Sequence, residues 1–228
     1  MIDVYLPIIL ALIIALTYYY SNKHTIKDKE RSKKIVSFSA GVAITYVLLK
    51  LFPTFTEGVL SINKLLFISL LFGFIIHHII EKEIYTHTTK HELIKMLSLE
   101  ENVFSFVYHI IIGFILATFI KENIIQGLLF FVPMAFYTFL SMLPSKPHHS
   151  KKNALLLSIA TPLGVLIALF LGKFMPLWLE YALIGLATGV LLFAVIRHHI
   201  PFGKRGKISY FTIGFLLYAI LIIASWYI

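Results

Sequence analysis

Residues 23–53 read KHTIKDKERSKKIVSFSAGVAITYVLLKLFP: twelve residues carrying six cations, then nineteen whose only charge is Lys50. Nineteen residues coiled as an α-helix rise about 28 Å, close to the ~30 Å hydrocarbon core of a bilayer. A strongly basic segment laid against such a stretch marks a membrane span entered from the cytoplasm. The same reading extends along the chain. Apolar stretches of this order occupy 6–20, 35–53, 65–80, 103–120, 124–143, 154–171, 178–196 and 208–227. They predict an all-α polytopic membrane protein of eight transmembrane helices, with 1–228 as a single transmembrane domain.

Of the 20 Lys and Arg, 16 fall on alternate connections. Lys23, Lys27, Lys29, Arg31, Lys33 and Lys34 follow segment one, and Lys82, Lys90 and Lys95 follow segment three. Lys146, Lys151 and Lys152 follow segment five, and Arg197, Lys204, Arg205 and Lys207 follow segment seven. The opposite side holds only Lys50, Lys64, Lys121 and Lys173. Basic connections stay cytoplasmic, so both termini are expected outside, in the plasma (inner) membrane.

Composition excludes the main alternatives. A chain that is 59% hydrophobic and 14% charged has too few polar side chains to cover a water-facing surface. The net charge of +9 is accounted for by the cytoplasmic bias and is spread over four connections, so no nucleic-acid partner is expected. The absence of cysteine removes disulfides, thiolate metal sites and cysteine nucleophiles. Residues 1–20 lack a basic leader and a small-residue cleavage site, and read as a retained helix rather than a signal peptide.

The connections leave no room for a soluble domain. The longest, 81–102, has space for one amphipathic surface helix around 91–99 and marks the midpoint of the chain. On either side of it, segments two and seven share a pattern: Gly41 precedes Pro53 by twelve residues, and Gly189 precedes Pro201 by twelve. If segments one to three correspond to six to eight, the odd offset of five helices makes them an inverted repeat. Transporters built this way place substrate where Gly or Pro interrupts a helix near the midplane. The competing reading is that Gly and Pro are frequent in membrane helices for packing and kinking, and the spacing coincides by chance.

Segments four and five, the unpaired central pair, carry most of the polar atoms at depth. Ser105, Tyr108 and His109 stand at i, i+3 and i+4, and Pro133, Met134, Tyr137, Thr138 and Ser141 form a second stripe. A substrate path or a polar network is expected between these two faces.

Taken together, the pattern resembles the ZIP family of divalent metal transporters. Phe38-Ser39-Ala40-Gly41-Val42 through Leu48-Leu49-Lys50-Leu51-Phe52-Pro53 is similar to that family's second helix, Thr161-Pro162-Leu163-Gly164 to its sixth, and Thr188-Gly189 through Pro201 to its seventh. The resemblance implies eight helices, both termini outside, an inverted repeat of helices 1–3 and 6–8, and a metal site between helices four and five. The family's His-Asn-x-x-Asp-Gly and His-x-x-Pro-Glu-Gly motifs fall on Tyr108-His109-Ile110-Ile111-Ile112-Gly113 and Phe130-Phe131-Val132-Pro133-Met134-Ala135. Only Gly113 and Pro133 match. The ligand positions have become Tyr108, Ile112, Phe130 and Met134, so no metal is expected at the family site.

Electrostatics points the same way. All 11 carboxylates, Asp3, Asp28, Glu30, Glu57, Glu81, Glu83, Glu92, Glu100, Glu101, Glu122 and Glu180, lie in connections or at segment ends. A divalent ion at the midplane would enter without a compensating charge, at a cost well above the ~20 kcal/mol of a single ion in low dielectric. The rival metal reading uses the histidines near the basic side. His87 and His91 are spaced to share one helix face, and His198 and His199 end segment seven, making these four weak ligand candidates. Equally they read as solvated interfacial residues. His109, alone at depth, is either a neutral imidazole bonded to a neighbouring helix or a ligand.

The expected function is therefore that of a divergent ZIP-like protein acting as a pseudo-transporter or membrane scaffold subunit, without a cofactor. Its partners would be the lipid bilayer and a homo-oligomer or membrane partner subunit. The alternative is transport of zinc or another transition metal through a site rebuilt between helices four and five. No enzyme is expected, because there is no buried carboxylate pair, glycine-rich phosphate loop or helical His-Glu-x-x-His motif.

Overall fold

The computed structural model describes residues 2–21, 28–141, 151–201 and 206–227, and among these there is no strand. Segment one is α1 (Ile2–Ser21). Segment two becomes α2 (Lys29–Tyr46), a π-helical turn (Val47–Leu51) and α3 (Phe52–Ile62), which run on as one continuous helix. After a 3₁₀ turn at Lys64–Leu66 follow α4 (Phe67–His87), α5 (Lys90–Glu122), α6 (Ile124–Ser141) and α7 (Lys151–Leu171). A second 3₁₀ turn (Gly172–Phe174) leads to α8 (Leu177–Ala194), a second π turn (Val195–His199) and α9 (Ile208–Ser225).

Local chemistry sets these ends. Asp28 starts α2 by accepting from the Glu30 and Arg31 amides at 2.9 and 3.3 Å, and Asn123 starts α6 by accepting from Ile125 and Gln126 at 2.8 and 3.3 Å. The two π turns precede Pro53 and Pro201, whose rings have no N–H and would crowd the carbonyl four residues back. Widening the helix to an i→i+5 bond answers both problems at Pro53, where the helix runs on, whereas ahead of Pro201 the helix stops at the extended Ile200. The Phe52 amide bonds the Val47 carbonyl, and the Ile200 amide bonds the Val195 carbonyl at 3.0 Å.

Connection 81–102 departs from the sequence reading. It is helical except at Thr88 and Thr89, where two extended β-branched residues separate α4 from α5. The amphipathic stretch around 91–99 is thus the first part of α5, one uninterrupted helix of 33 residues. Its residues are charged but include neither Gly nor Pro, and polarity that keeps a segment out of the bilayer does not stop it coiling.

Three helix pairs cross at reciprocal glycines. A Cβ on Gly41 would stand 2.2 Å from the Phe211 carbonyl oxygen on α9, and one on Gly214 would stand 2.2 Å from the Phe38 oxygen on α2. In α4 and α8, Gly73 faces the Leu186 oxygen and Gly189 the Leu70 oxygen, each at 2.2 Å from such a Cβ. In α5 and α7, Gly113 faces the Thr161 oxygen and Gly164 the Ile110 oxygen, each at 2.0 Å. Only a residue without a side chain lets backbones approach this closely. The first two crossings use corresponding residues. One constant offset carries Phe38, Gly41, Val47 and Pro53 to Leu186, Gly189, Val195 and Pro201, and a second carries Leu70 and Gly73 to Phe211 and Gly214.

Packing sorts the helices into two groups. In one, α1, α5, α6 and α7 pack against one another; in the other, α2 lies on α9 and α4 on α8. Contacts of α2 with α6 and of α5 with α8 join them. The interior is filled by Ile14, Tyr46, Phe55, Phe119 and Phe130, all essentially without solvent exposure. Outward faces are just as apolar: Leu12 and Leu16 on α1, Leu71 and Phe72 on α4, Leu155 and Ile159 on α7, and Ile213 and Ile220 on α9. Seven helical stretches, Ile2–Ser21, Glu30–Ile62, Lys64–His87, Lys95–Glu122, Ala154–Phe174, Leu177–Arg197 and Ile208–Ser225, are long and apolar enough to cross a membrane. Segment five forms a shorter apolar helix, Ile124–Phe139, and its expected end at 142–143 lies outside the described residues. An apolar exterior over an apolar core, in helices of this length, is the construction of an integral membrane protein.

Candidate functional site

The polar stripes of α5 and α6 meet in the first helix group. His109 is 2% exposed and Thr138 is fully buried. The His109 Nδ1 lies 2.7 Å from the Ser105 carbonyl oxygen. A carbonyl only accepts, so Nδ1 carries the proton and donates, and the bare Nε2 accepts from the Thr138 hydroxyl at 3.3 Å. The Ser105 hydroxyl stands 3.3 Å from the same Nδ1. Both ring nitrogens are thereby satisfied, one within α5 and one across to α6, which is how a neutral imidazole is held in an apolar interior.

Aromatic rings close the rest. Tyr18, from α1, meets the His109 ring edge-on at 5.3 Å between centroids, and Tyr108 flanks it at 6.0 Å. The Tyr108 hydroxyl points to the Met134 sulfur at 3.9 Å, and its ring meets Tyr137 at 5.7 Å. Further along, Phe130 packs on Phe119 at 5.5 Å and Tyr46 at 5.9 Å. Tyr108, Ile112, Phe130 and Met134 are all buried. Pro133 is buried in α6 one residue before Met134. Of the sequence candidates, Ser105, Tyr108, His109, Met134, Tyr137 and Thr138 come together; the side chain of Ser141 lies outside the described residues.

Sequence reasoning did not find Tyr18, Tyr46 or Tyr218. The only signal for Tyr18 is that it falls four residues after the buried Ile14 and so shares its inward face. Tyr46 is fully buried, and among the described residues its hydroxyl makes no hydrogen bond. Tyr218, whose ring is 6.3 Å from that of Tyr46, donates instead to the Leu129 carbonyl at 2.5 Å. A buried hydroxyl without a partner costs about 1 to 3 kcal/mol. Tyr46→Phe keeps the ring packing and removes that cost, so it is expected to raise the melting temperature of the purified protein; a lower one would show that the hydroxyl is bonded.

Among the peripheral histidines, His87 and His91 fall on different helices. His87 ends α4 and pairs with Glu83 at 2.9 Å, whereas His91 belongs to α5 beyond the Thr88–Thr89 break, so the two share no helix face. The side chains of His91, His198 and His199 lie outside the described residues. In the second π turn, Arg197 pairs with Glu81 at 2.9 Å and donates to the His78 Nδ1 at 2.9 Å, tying α8 to α4. Among the described residues no group of three or more His, Asp or Glu is placed to hold a metal.

Fold and site together define a polytopic, α-helical integral membrane protein whose deepest polar groups are enclosed by its own side chains. Compared with known proteins, the chain matches no family model and no curated sequence.

Proposed function

We propose that the chain is an eight-helix, ZIP-like protein of the plasma (inner) membrane, with both termini outside, that acts as a pseudo-transporter or membrane scaffold subunit instead of conducting metal. The observation that carries this is the filled space between α5 and α6. Tyr108, Ile112, Phe130 and Met134 occupy it with buried side chains, and both nitrogens of His109 are engaged. A transition ion bound there would need imidazole, thiolate or carboxylate donors, and the one imidazole present would have to give up its bond to Thr138. The inverted-repeat reading draws support from the corresponding glycine crossings and from the paired π turns ahead of Pro53 and Pro201. With α6 as the eighth span, the cations divide 16 to 4 across the membrane.

The test of function is zinc itself. Protein soaked in zinc and examined by anomalous scattering is expected to show no ion between α5 and α6, and cells expressing it no added zinc accumulation. A peak about 2.1 Å from His109 overturns the reading in favour of a rebuilt transport site.

Orientation is tested separately, on a chain with no native cysteine. Cysteines placed at Lys29, Lys90, Lys151 and Lys204 are expected to be shielded from an impermeant thiol reagent in intact cells. Those at Asn63, Glu122 and Lys173 are expected to react. Labelling of any basic-side position breaks the proposed topology.

A further inference from the structure

The basic ends of α2 and α9 are built into one another. Gly206, at φ 73°, turns the chain where a Cβ would stand 2.8 Å from the Ser37 hydroxyl, and the next amide, that of Lys207, donates to that buried hydroxyl at 2.8 Å. Glu30 then holds two ammonium groups at once, Lys33 at 3.1 Å and Lys207 at 2.9 Å. The other local carboxylate, Asp28, is engaged by the Glu30 and Arg31 amides.

Among the described side chains here, two cations remain over. Arg31 is exposed and has no ion-pair partner among the described residues, and the Lys34 ammonium lies 5.5 Å from the centre of the Tyr210 ring with no carboxylate beside it. A ring face holds an ammonium only weakly at an exposed site and leaves it free to bind an anion. Tyr210 in turn heads a stripe on α9. Ile213, Leu217 and Ile220 follow it at i+3, i+7 and i+10, and are 52%, 47% and 65% exposed. Cationic groups above a straight apolar track match one class of molecule in form and charge, an anionic lipid.

We propose that Arg31 and Lys34, at the head of the stripe formed by Tyr210, Ile213, Leu217 and Ile220, seat the phosphodiester of an anionic phospholipid whose acyl chain lies along that stripe. The inference stands apart from the scaffold reading, since a conducting protein would bind the same lipid.

The experiment uses the full-length protein in neutral detergent and two phospholipids of identical acyl chains, phosphatidylglycerol and phosphatidylcholine, with bound lipid counted by native mass spectrometry. Wild type is expected to bind phosphatidylglycerol about 25-fold more tightly, from about fivefold for each of the two basic groups near the surface. The R31Q/K34Q variant is expected to lose most of that preference, while K173Q, at the opposite side, keeps it. Equal binding of the two lipids by wild type overturns the proposal without need of any variant, as does full preference in R31Q/K34Q. Glycerol phosphate competing as well as the lipid also overturns it, because the site would then take a soluble anion and the apolar track would be idle.

Discussion

Gly113→Ala is expected to be strongly destabilising. The new Cβ would lie 2.0 Å from the Thr161 carbonyl oxygen and 2.9 Å from the Val165 amide. Ordinary carbon-to-oxygen contacts are about 3.3 Å, so α5 and α7 must part by about 1 Å, and the obstructing atoms are backbone that cannot swing aside. Overpacking of this kind costs up to about 3 kcal/mol, a substantial share of the stability of a folded chain. Melting in detergent micelles measures it. Gly164→Ala, which strikes the Ile110 oxygen at 2.0 Å from the other side of the crossing, is expected to do the same damage. The double variant should lose less than the sum, because one separation relieves both clashes. Gly172→Ala is the control, with nothing within 4 Å of the added atom. A wild-type melting temperature for Gly113→Ala would mean that α5 and α7 do not cross as described.

His109→Leu is expected to lower stability by about 2 kcal/mol. It removes the bonds to the Ser105 carbonyl and the Thr138 hydroxyl and the edge contacts with Tyr18 and Tyr108. His109→Gln retains a donor and an acceptor and is expected to lose less. Neither is expected to change metal accumulation by cells. Should both abolish accumulation of one ion while the protein stays folded, His109 is a ligand and the scaffold reading fails.

Much of the architecture is legible in the sequence because a bilayer demands long runs without charge, and such runs are visible one residue at a time. The twelve-residue spacing of Gly41 to Pro53 and of Gly189 to Pro201 is equally visible. What it does is not: that Gly41 answers Gly214 and that Gly189 answers Gly73 depends on which helices lie side by side. The helix expected around 91–99 is present, but its continuity with α5 is not legible, because charge marks where a chain leaves the membrane, not where it stops coiling. Counting alone sets His87 and His91 on one face, and two extended threonines between them undo the count.

The candidate site divides in the same way. Ser105, Tyr108, His109, Met134, Tyr137 and Thr138 could be found because their spacing lines up on two adjacent helices. Tyr18 and Tyr46 reach the same interior from α1 and α2, and no periodicity connects residues so far apart along the chain.

At 1.5 Å per residue, the 33 residues of α5 make a rod about 50 Å long, while the hydrocarbon layer needs only about 30 Å of it. The surplus lies at the Lys90 end, outside the apolar span Lys95–Glu122 and among its first turns, and neither proline nor glycine interrupts the rod before Gly113. Such a rod has no joint between its wet end and its dry one. A force applied near Lys90 would act as on the arm of a lever, with the glycine crossing at Thr161 as its fulcrum, and His109, one turn from that crossing, would move least.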